Sequence, residues 1–319
     1  MSTLPASSLV LGLAWFIVIN ALASLASWAI GSVVLSSSRR GRMGLLLAIR
    51  LLPAAASLLF VAALFLPAHW RLEPIDARES FGFVLSAFAL TGGSLLFRGA
   101  ARAGSVARAA RKLRACERLA RADTALPAGG LYEVQGLPGV SLAGVLRPRI
   151  VVGEAVRRHL SAAELDVAVA HELAHRAALD NVKRFAMFCA PDLFGATLVA
   201  RSLEREWRAA AETLADARAV NGDARRALHL AAALVKVGQL GPGLPSPLTS
   251  PVWSTLNDPP LLEMRVRRLV GNVAPAAPRP SARRVAAIAT ALSLGLMISG
   301  VALAQTVHQL TEALVRWLP

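Results

Sequence analysis

This 319-residue chain is poor in cysteine, in charge, and above all in acidic charge. Its two cysteines, Cys116 and Cys189, are far apart and belong to no C-x-x-C pair. Neither a disulfide framework nor a thiolate metal site is expected, and a reducing compartment fits. Charged residues make up 17%, with 35 Lys+Arg against 20 Asp+Glu and a net charge of +15. On a soluble protein such an excess would suggest nucleic acid. Here the arginines flank apolar runs, and membrane topology accounts for them better. No charge occurs before Arg39. That stretch therefore lacks the basic segment that opens a cleaved signal peptide.

Apolar residues fill the space. They are 55% of the chain, and the mean hydropathy of +0.51 is too high for an ordinary soluble domain. Leu9 to Leu35 is an uncharged run long enough to cross a bilayer with tilt. Met43 to Leu66 forms a second span, with Arg50 near its start, where a long side chain can snorkel to the headgroups. Phe81 to Phe97 is a third, short span and Val285 to Ala304 a fourth. Arg39, Arg40 and Arg42 follow the first span. Arg98, Arg102, Arg108, Arg111, Lys112 and Arg114 follow the third, and Arg279, Arg283 and Arg284 precede the fourth. The loop from Pro67 to Ser80 carries a net −1. The positive-inside rule then places residues 98–284 in the cytoplasm as one domain, with both termini outside a bacterial-type inner membrane and residues 305–319 as a short external tail. The basic stretch from Arg98 to Arg121 reads as a helix held near anionic lipid rather than a nucleic-acid surface. Phe185 to Ala200 is apolar but spans only about 24 Å as a helix and contains Pro191 and Asp192. It is expected to be buried or to lie on the membrane surface.

The chemistry is carried by His171-Glu172-Leu173-Ala174-His175. Two histidines four apart on a helix project from one face and can share one Zn²⁺. The glutamate between them can act as general base on a water. Ser161 and Glu164 form a capping box that starts the helix, which is expected to run to about Leu179 and to end at Asp180-Asn181. A catalytic zinc needs a third protein ligand and one open position. Glu204, Glu206 and Glu212 compete for that place. Glu212 is favoured by its small apolar surroundings, Ala209, Ala210, Ala211 and Ala215. Asp216, one turn on, can accept the outer N–H of a ligating histidine, and Asp180 is assigned the same supporting place. His69, His159, His229 and His308 have no metal spacing. The segment Val140 to Val145 suits two arrangements. One is an edge strand that holds an extended peptide, with Ala143 and Gly144 at the contact; the other is an ordinary strand of a small sheet.

HELAH followed by Asp180-Asn181, and 37 residues after His175 by E-T-L-A-D at Glu212 to Asp216, resembles the gluzincin membrane peptidases. The BlaR/MecR-type antirepressor family is the nearest in pattern, and the HtpX and CaaX-prenyl-protease family shares E-x-x-A-D. Leu146 to Val152 resembles the strand that precedes the motif helix. Pro259-Pro260 with Arg265-Val266 resembles the P-P-x-x-x-R-[IV] segment. The resemblance covers about Leu137 to Val270. It implies a mainly α integral membrane protein with four transmembrane helices and a cytoplasmic α+β zinc peptidase domain containing a small sheet. Its substrate would be a protein or peptide, such as a transcriptional repressor or a membrane protein. An HtpX-like quality-control protease is the alternative, and a non-catalytic zinc-containing receptor or scaffold stands behind it. Two departures matter. Only Gln305 to Pro319 follow the fourth span, where antirepressor sensors carry a ligand-binding domain. Asp258 stands where prenyl proteases carry a histidine, which leaves Arg265 and Tyr132 as candidates for contact with the reacting carbonyl. Oligomeric state is not legible.

Overall fold

The computed structural model describes residues 6–36, 43–72, 82–117, 122–123, 131–134, 139–240, 254–256, 259–271, 295 and 302–317. The fourth span expected at 285–304 lies almost wholly outside the described residues. The chain divides into two compact units. One comprises Met1–Ala100, Ala190–Glu204 and Pro278–Pro319, and the other Ala101–Cys189 and Arg205–Ala277.

Among the described residues, three helical stretches are long and apolar enough to cross a membrane: Ser7–Ser36, Met43–Leu72 and Phe83–Lys112. In the first unit, α1 (Ala6–Ser36) and α2 (Met43–Phe60) form a hairpin. Beyond α2 the chain passes through a wide π-helical turn, Val61–Phe65, into α3 (Leu66–Leu72). Pro67 therefore does not end the helix as expected. The extra residue in the wide turn absorbs the ladder hydrogen bond that proline cannot make. The third span and the basic stretch after it are one helix, α4 (Phe83–Glu117). No helix breaker separates Phe97 from Arg98, so the change from apolar to basic alters the solvent and not the backbone. A Cβ at Gly92 would collide with the Leu13 carbonyl, so α4 meets α1 there only because Gly92 has none.

Arg50 does not reach for headgroups. It is 3% exposed, and its guanidinium pairs with Asp192 at 2.9 Å and Glu204 at 2.6 Å. The stretch Phe185 to Ala200 is not a single helix. Chain from α7 (Asp180–Cys189) breaks at Pro191, makes one 3₁₀ turn, Phe194–Ala196, and re-enters a helix as α8 (Leu198–Val220). Near the C-terminal end of the described residues, Ala304–Trp317 forms a helix, α11 after those introduced below. Its Thr311 accepts a hydrogen bond from the Trp15 indole at 3.0 Å. The expected tail is thus packed on the span helices of its unit.

The second unit is α+β. Its mixed sheet has the order β1-β2-β4-β3-β5, with β1 Ala122–Asp123, β2 Leu131–Val134, β3 Val140–Ala143, β4 Arg149–Gly153 and β5 Ser254–Thr255. Only β2 and β4 run parallel. Helices α5 (Glu154–His159), α6 (Ala162–Ala178), α9 (Ala224–Gln239) and α10 (Pro259–Gly271) complete the unit. Its core joins Val140, Leu142, Ile150 and Val152 of the sheet to Val167, Ala168 and Val169 of α6 and Leu230, Ala233, Leu234 and Val237 of α9. The edge-strand arrangement of Val140 to Val145 is not adopted. Val140–Ala143 lies between β4 and β5, and Ser141 and Leu142 pair with Thr255 and Ser254. The chain covers this edge with its own two-residue strand.

Candidate metal centre

Helix α6 starts as its sequence requires. The Ser161 hydroxyl accepts from the Glu164 amide at 3.3 Å, and Glu164 Oε2 accepts from the Ser161 amide at 2.7 Å. Lys236 of α9 donates to the same oxygen at 2.8 Å. The capped end fixes the register of the turn from His171 to His175. His171, Glu172 and His175 are all fully buried. The imidazoles stand nearly perpendicular (81°) and bring their Nε2 atoms to 3.1 Å.

Helix α8 supplies the third donor. Glu212 Oε2 lies 3.3 Å from His171 Nε2, and Oε1 lies 3.4 Å from His175 Nε2. These three buried residues could hold a metal ion; among the described residues they are the one such cluster of His, Cys, Asp or Glu. Glu204 and Glu206, the other two candidates, are outside it. Glu204 is engaged by Arg50, and Glu206 faces away as an exposed residue.

Each histidine presents Nε2 to the centre and Nδ1 to a carboxylate. His175 Nδ1 bonds Asp180 Oδ2 at 2.8 Å, and His171 Nδ1 lies 2.9 Å from Asp216 Oδ1. The carboxylates select the tautomer that leaves Nε2 free to ligate. Both aspartates lie beside the histidines, and α6 ends close to the expected boundary, at Ala178 with Leu179 as its cap, but a second helix follows without a loop. Leu179 adopts a left-handed conformation (φ 58°), and α7 begins at once with Asp180. This single reversal turns Asp180 back towards His175. It also aims Asn181 at the sheet, where its amide donates to the carbonyls of Leu142 and Gly144, both at 2.7 Å. Gly144, at φ 101°, needs glycine for that geometry.

Arg265 comes from α10. It grips Asp216 with two bonds, of 2.9 and 2.6 Å, donates to the Leu256 carbonyl at 3.1 Å, and lies 3.2 Å from Glu212. It is 2% exposed. With its donors spent on protein acceptors, it braces the ligands rather than facing a substrate. A second cation was not foreseen. Arg184 of α7 donates to Glu212 Oε1 at 3.0 Å. Its spacing of four from Asp180 would have revealed it, had Asp180 been read as a helix start and not a helix end. Tyr132 packs instead with Val106, Ala143 and Val151, with the Arg149 guanidinium 5.2 Å from its ring. Ala143 is buried in that same cluster. Of the remaining histidines, His69 stacks on Phe65 and His159 bonds the Ala155 carbonyl, and none belongs to the metal cluster found among the described residues.

The electrostatics suit a cation. Burial opposes charge on Glu212, but the two histidines and Arg265 hold its carboxyl well below the usual range. Burial also works against a charged His175, yet Glu212 and Asp180 outweigh it and push the imidazole up to about 9 in the metal-free chain. His171 is raised in the same way by Asp216 and Glu212. Glu172 moves the opposite way for a carboxylate: burial pushes it up. Both its oxygens are buried and have no hydrogen-bond partner among the described residues. A buried carboxylate with no hydrogen-bond partner beside two imidazoles fits a site that could hold a metal ion. No protein-family model matches this chain, and no curated protein matches its sequence.

Proposed function

We propose that this chain is an integral-membrane zinc endopeptidase, and one observation carries the reading. His171 and His175 bring their Nε2 atoms to 3.1 Å, Glu212 sets Oε2 3.3 Å from the first and Oε1 3.4 Å from the second, and a bare glutamate is held beside them. Tetrahedral coordination with bonds near 2.0–2.1 Å requires donor edges of about 3.3 Å. Two histidines and one carboxylate, with a fourth position left over, are also the donor set of catalytic zinc sites; structural sites close with four protein ligands. The resemblance of HELAH and E-T-L-A-D to the gluzincin membrane peptidases supports the same conclusion.

His171, His175 and Glu212 would hold the metal. Bound zinc supplies a Lewis acid that makes a water nucleophilic at neutral pH and polarises a carbonyl. Glu172, its carboxyl raised by burial, takes the proton from the attacking water and returns it to the leaving amine. Asp180 and Asp216 keep the imidazoles in the ligating tautomer, and Arg265 keeps Asp216 and Glu212 in place. The substrate is a protein or peptide, a repressor or a membrane protein. The positive-inside distribution supports a cytoplasmic site, four spans and external termini.

The test is Glu172→Gln. Purified in detergent, the variant should keep one zinc per chain by atomic absorption and lose about 10²–10⁴-fold in cleavage of a protein substrate such as casein. Unchanged cleavage would remove Glu172 from the chemistry. A wild-type chain that holds no zinc would end the reading at its first step.

A further inference from the structure

We propose that residues 190–197 form a re-entrant turn inserted into the bilayer, reached from the cytoplasmic side of the first unit. Everything that carries this lies within that unit, and none of it depends on the peptidase reading.

Helix α1 has 31 residues, about 46 Å at 1.5 Å per residue. A hydrocarbon core of about 30 Å covers only about twenty of them. Side-chain contacts order the hairpin by depth: Gly12 meets Phe65, Trp15 meets Phe60, Asn20 meets Ser57, and Gly31 meets Ile49. Polar groups mark the first of these levels. His69, Trp70 and Arg71 close α3 there, and α11, with His308, Glu312 and Arg316, is tied to Trp15. Helix α1 carries no charge along its length and exposes Leu9 and, towards the other end, Leu22, Leu25, Trp28, Ile30 and Val33, at 47–69%. Leu58 and Leu59 of α2 extend that apolar face. Lipid acyl chains are its occupant: the face is continuous along both helices and uninterrupted by charge. The bilayer core therefore covers α1 from about Trp15 to Leu35.

The broken segment then sits below the membrane surface. Asn20, 0% exposed, receives the Leu193 amide at 3.0 Å and donates to the Pro191 carbonyl at 3.1 Å. Asn20 is sixteen residues from Ser36, which is about 24 Å of helix. Non-helical backbone survives at such depth only if protein satisfies it. This segment meets that demand closely. The Asp192 amide donates to the Ala190 carbonyl, and the Asp192 carbonyl accepts from Arg98. The Gly195 amide reaches Asp192 Oδ1, and the Ala196 and Thr197 amides close the 3₁₀ turn on Leu193 and Phe194. Pro191 has no amide to satisfy. Asp192 and Glu204 neutralise Arg50, as charge beneath a membrane surface requires. Gly195 has no Cβ to displace the Arg50 guanidinium.

The experiment measures depth. Full-length protein carrying Cys116→Ala and Cys189→Ala is spin-labelled at Val33→Cys or Leu193→Cys and reconstituted in phosphatidylcholine–phosphatidylglycerol vesicles. Exposed Arg225→Cys is the aqueous reference. Collisions with oxygen and with a water-soluble nickel chelate are then compared. We expect the oxygen-to-nickel ratio to be several-fold higher at both sites than at residue 225. Nickel access at Val33 or Leu193 equal to the reference would overturn the insertion. So would shielding of Val33 from both reagents, since a protein partner would then occupy the face. Leu25→Cys and Leu198→Cys report the same surfaces should the first pair fail to fold.

Discussion

At the level of single residues, the metal centre is a set of buried charges that hold one another in place. Asp180 and Asp216 orient the two histidines in the same way, yet their removal should differ. Asp216 also neutralises fully buried Arg265. Asp216→Asn should weaken zinc affinity about 10- to 100-fold and also destabilise the fold by about 1.5–3 kcal/mol, because buried Arg265 loses its two-bond partner and keeps Glu212 as its remaining counter-charge. Asp180 is backed by Lys183, which is partly exposed. Asp180→Asn should therefore cost a similar factor in zinc affinity with a smaller loss of stability. Zinc competition against a chelator and denaturant unfolding separate the two; equal stability losses would refute the difference. Protons give a second test. The folded pKa of His175, about 9, exceeds its ordinary 6.5. In the metal-free protein its pairing therefore stabilises the fold fully below pH 6.5, and that contribution fades as pH rises towards 9. Zinc must displace the same proton, so its affinity rises over the same interval. The Tm gap between zinc-loaded and chelator-treated protein should widen from pH 6.5 to 9. A flat or narrowing gap would exclude His175 as a ligand.

Among the elements, what was legible depended on whether the deciding interaction was local. The capping box, the face shared by His171 and His175, and the small residues around Glu212 are all short-range signals, and they yielded the start of α6 and the three donors. The reversal at Leu179 left no such signal, because glycine or asparagine usually holds a left-handed position. Without it α7 was invisible, and so were Arg184 and the Asn181 clamp on β3. The covered edge of β3 was hidden for a different reason: β5 comes from more than a hundred residues downstream, and two residues make no pattern. Leu179 itself is testable. Its side chain is 61% exposed, so glycine there removes backbone strain and little packing. Leu179→Gly should leave zinc binding intact and raise stability by up to about 1 kcal/mol. A loss of zinc would mean that the side chain, not the backbone turn, positions Asp180.

Across the whole molecule, charge is scarce enough that each buried charge demands an account. Arg50 was assigned to the headgroups because nothing near it in sequence could neutralise it. Its partners lie 142 and 154 residues away, beyond any periodicity or motif. The pairing makes a specific energetic prediction. Arg50→Met strands Asp192, whose side chain is fully buried, whereas Asp192→Leu leaves Arg50 with Glu204 as its one acidic partner. The first change should cost about 3–5 kcal/mol, since an uncompensated buried ion is worse than none, and the second should cost less. The double variant Arg50→Met/Asp192→Leu removes both charges and should recover most of that loss. Glu204, which is 27% exposed, retains access to polar surroundings. A double-mutant cycle by denaturant titration in detergent micelles measures this coupling. Strictly additive losses would show that the two charges are solvated independently. Recovery would mean that the chain spends two of its few ions on fastening a broken helix to the hairpin of spans.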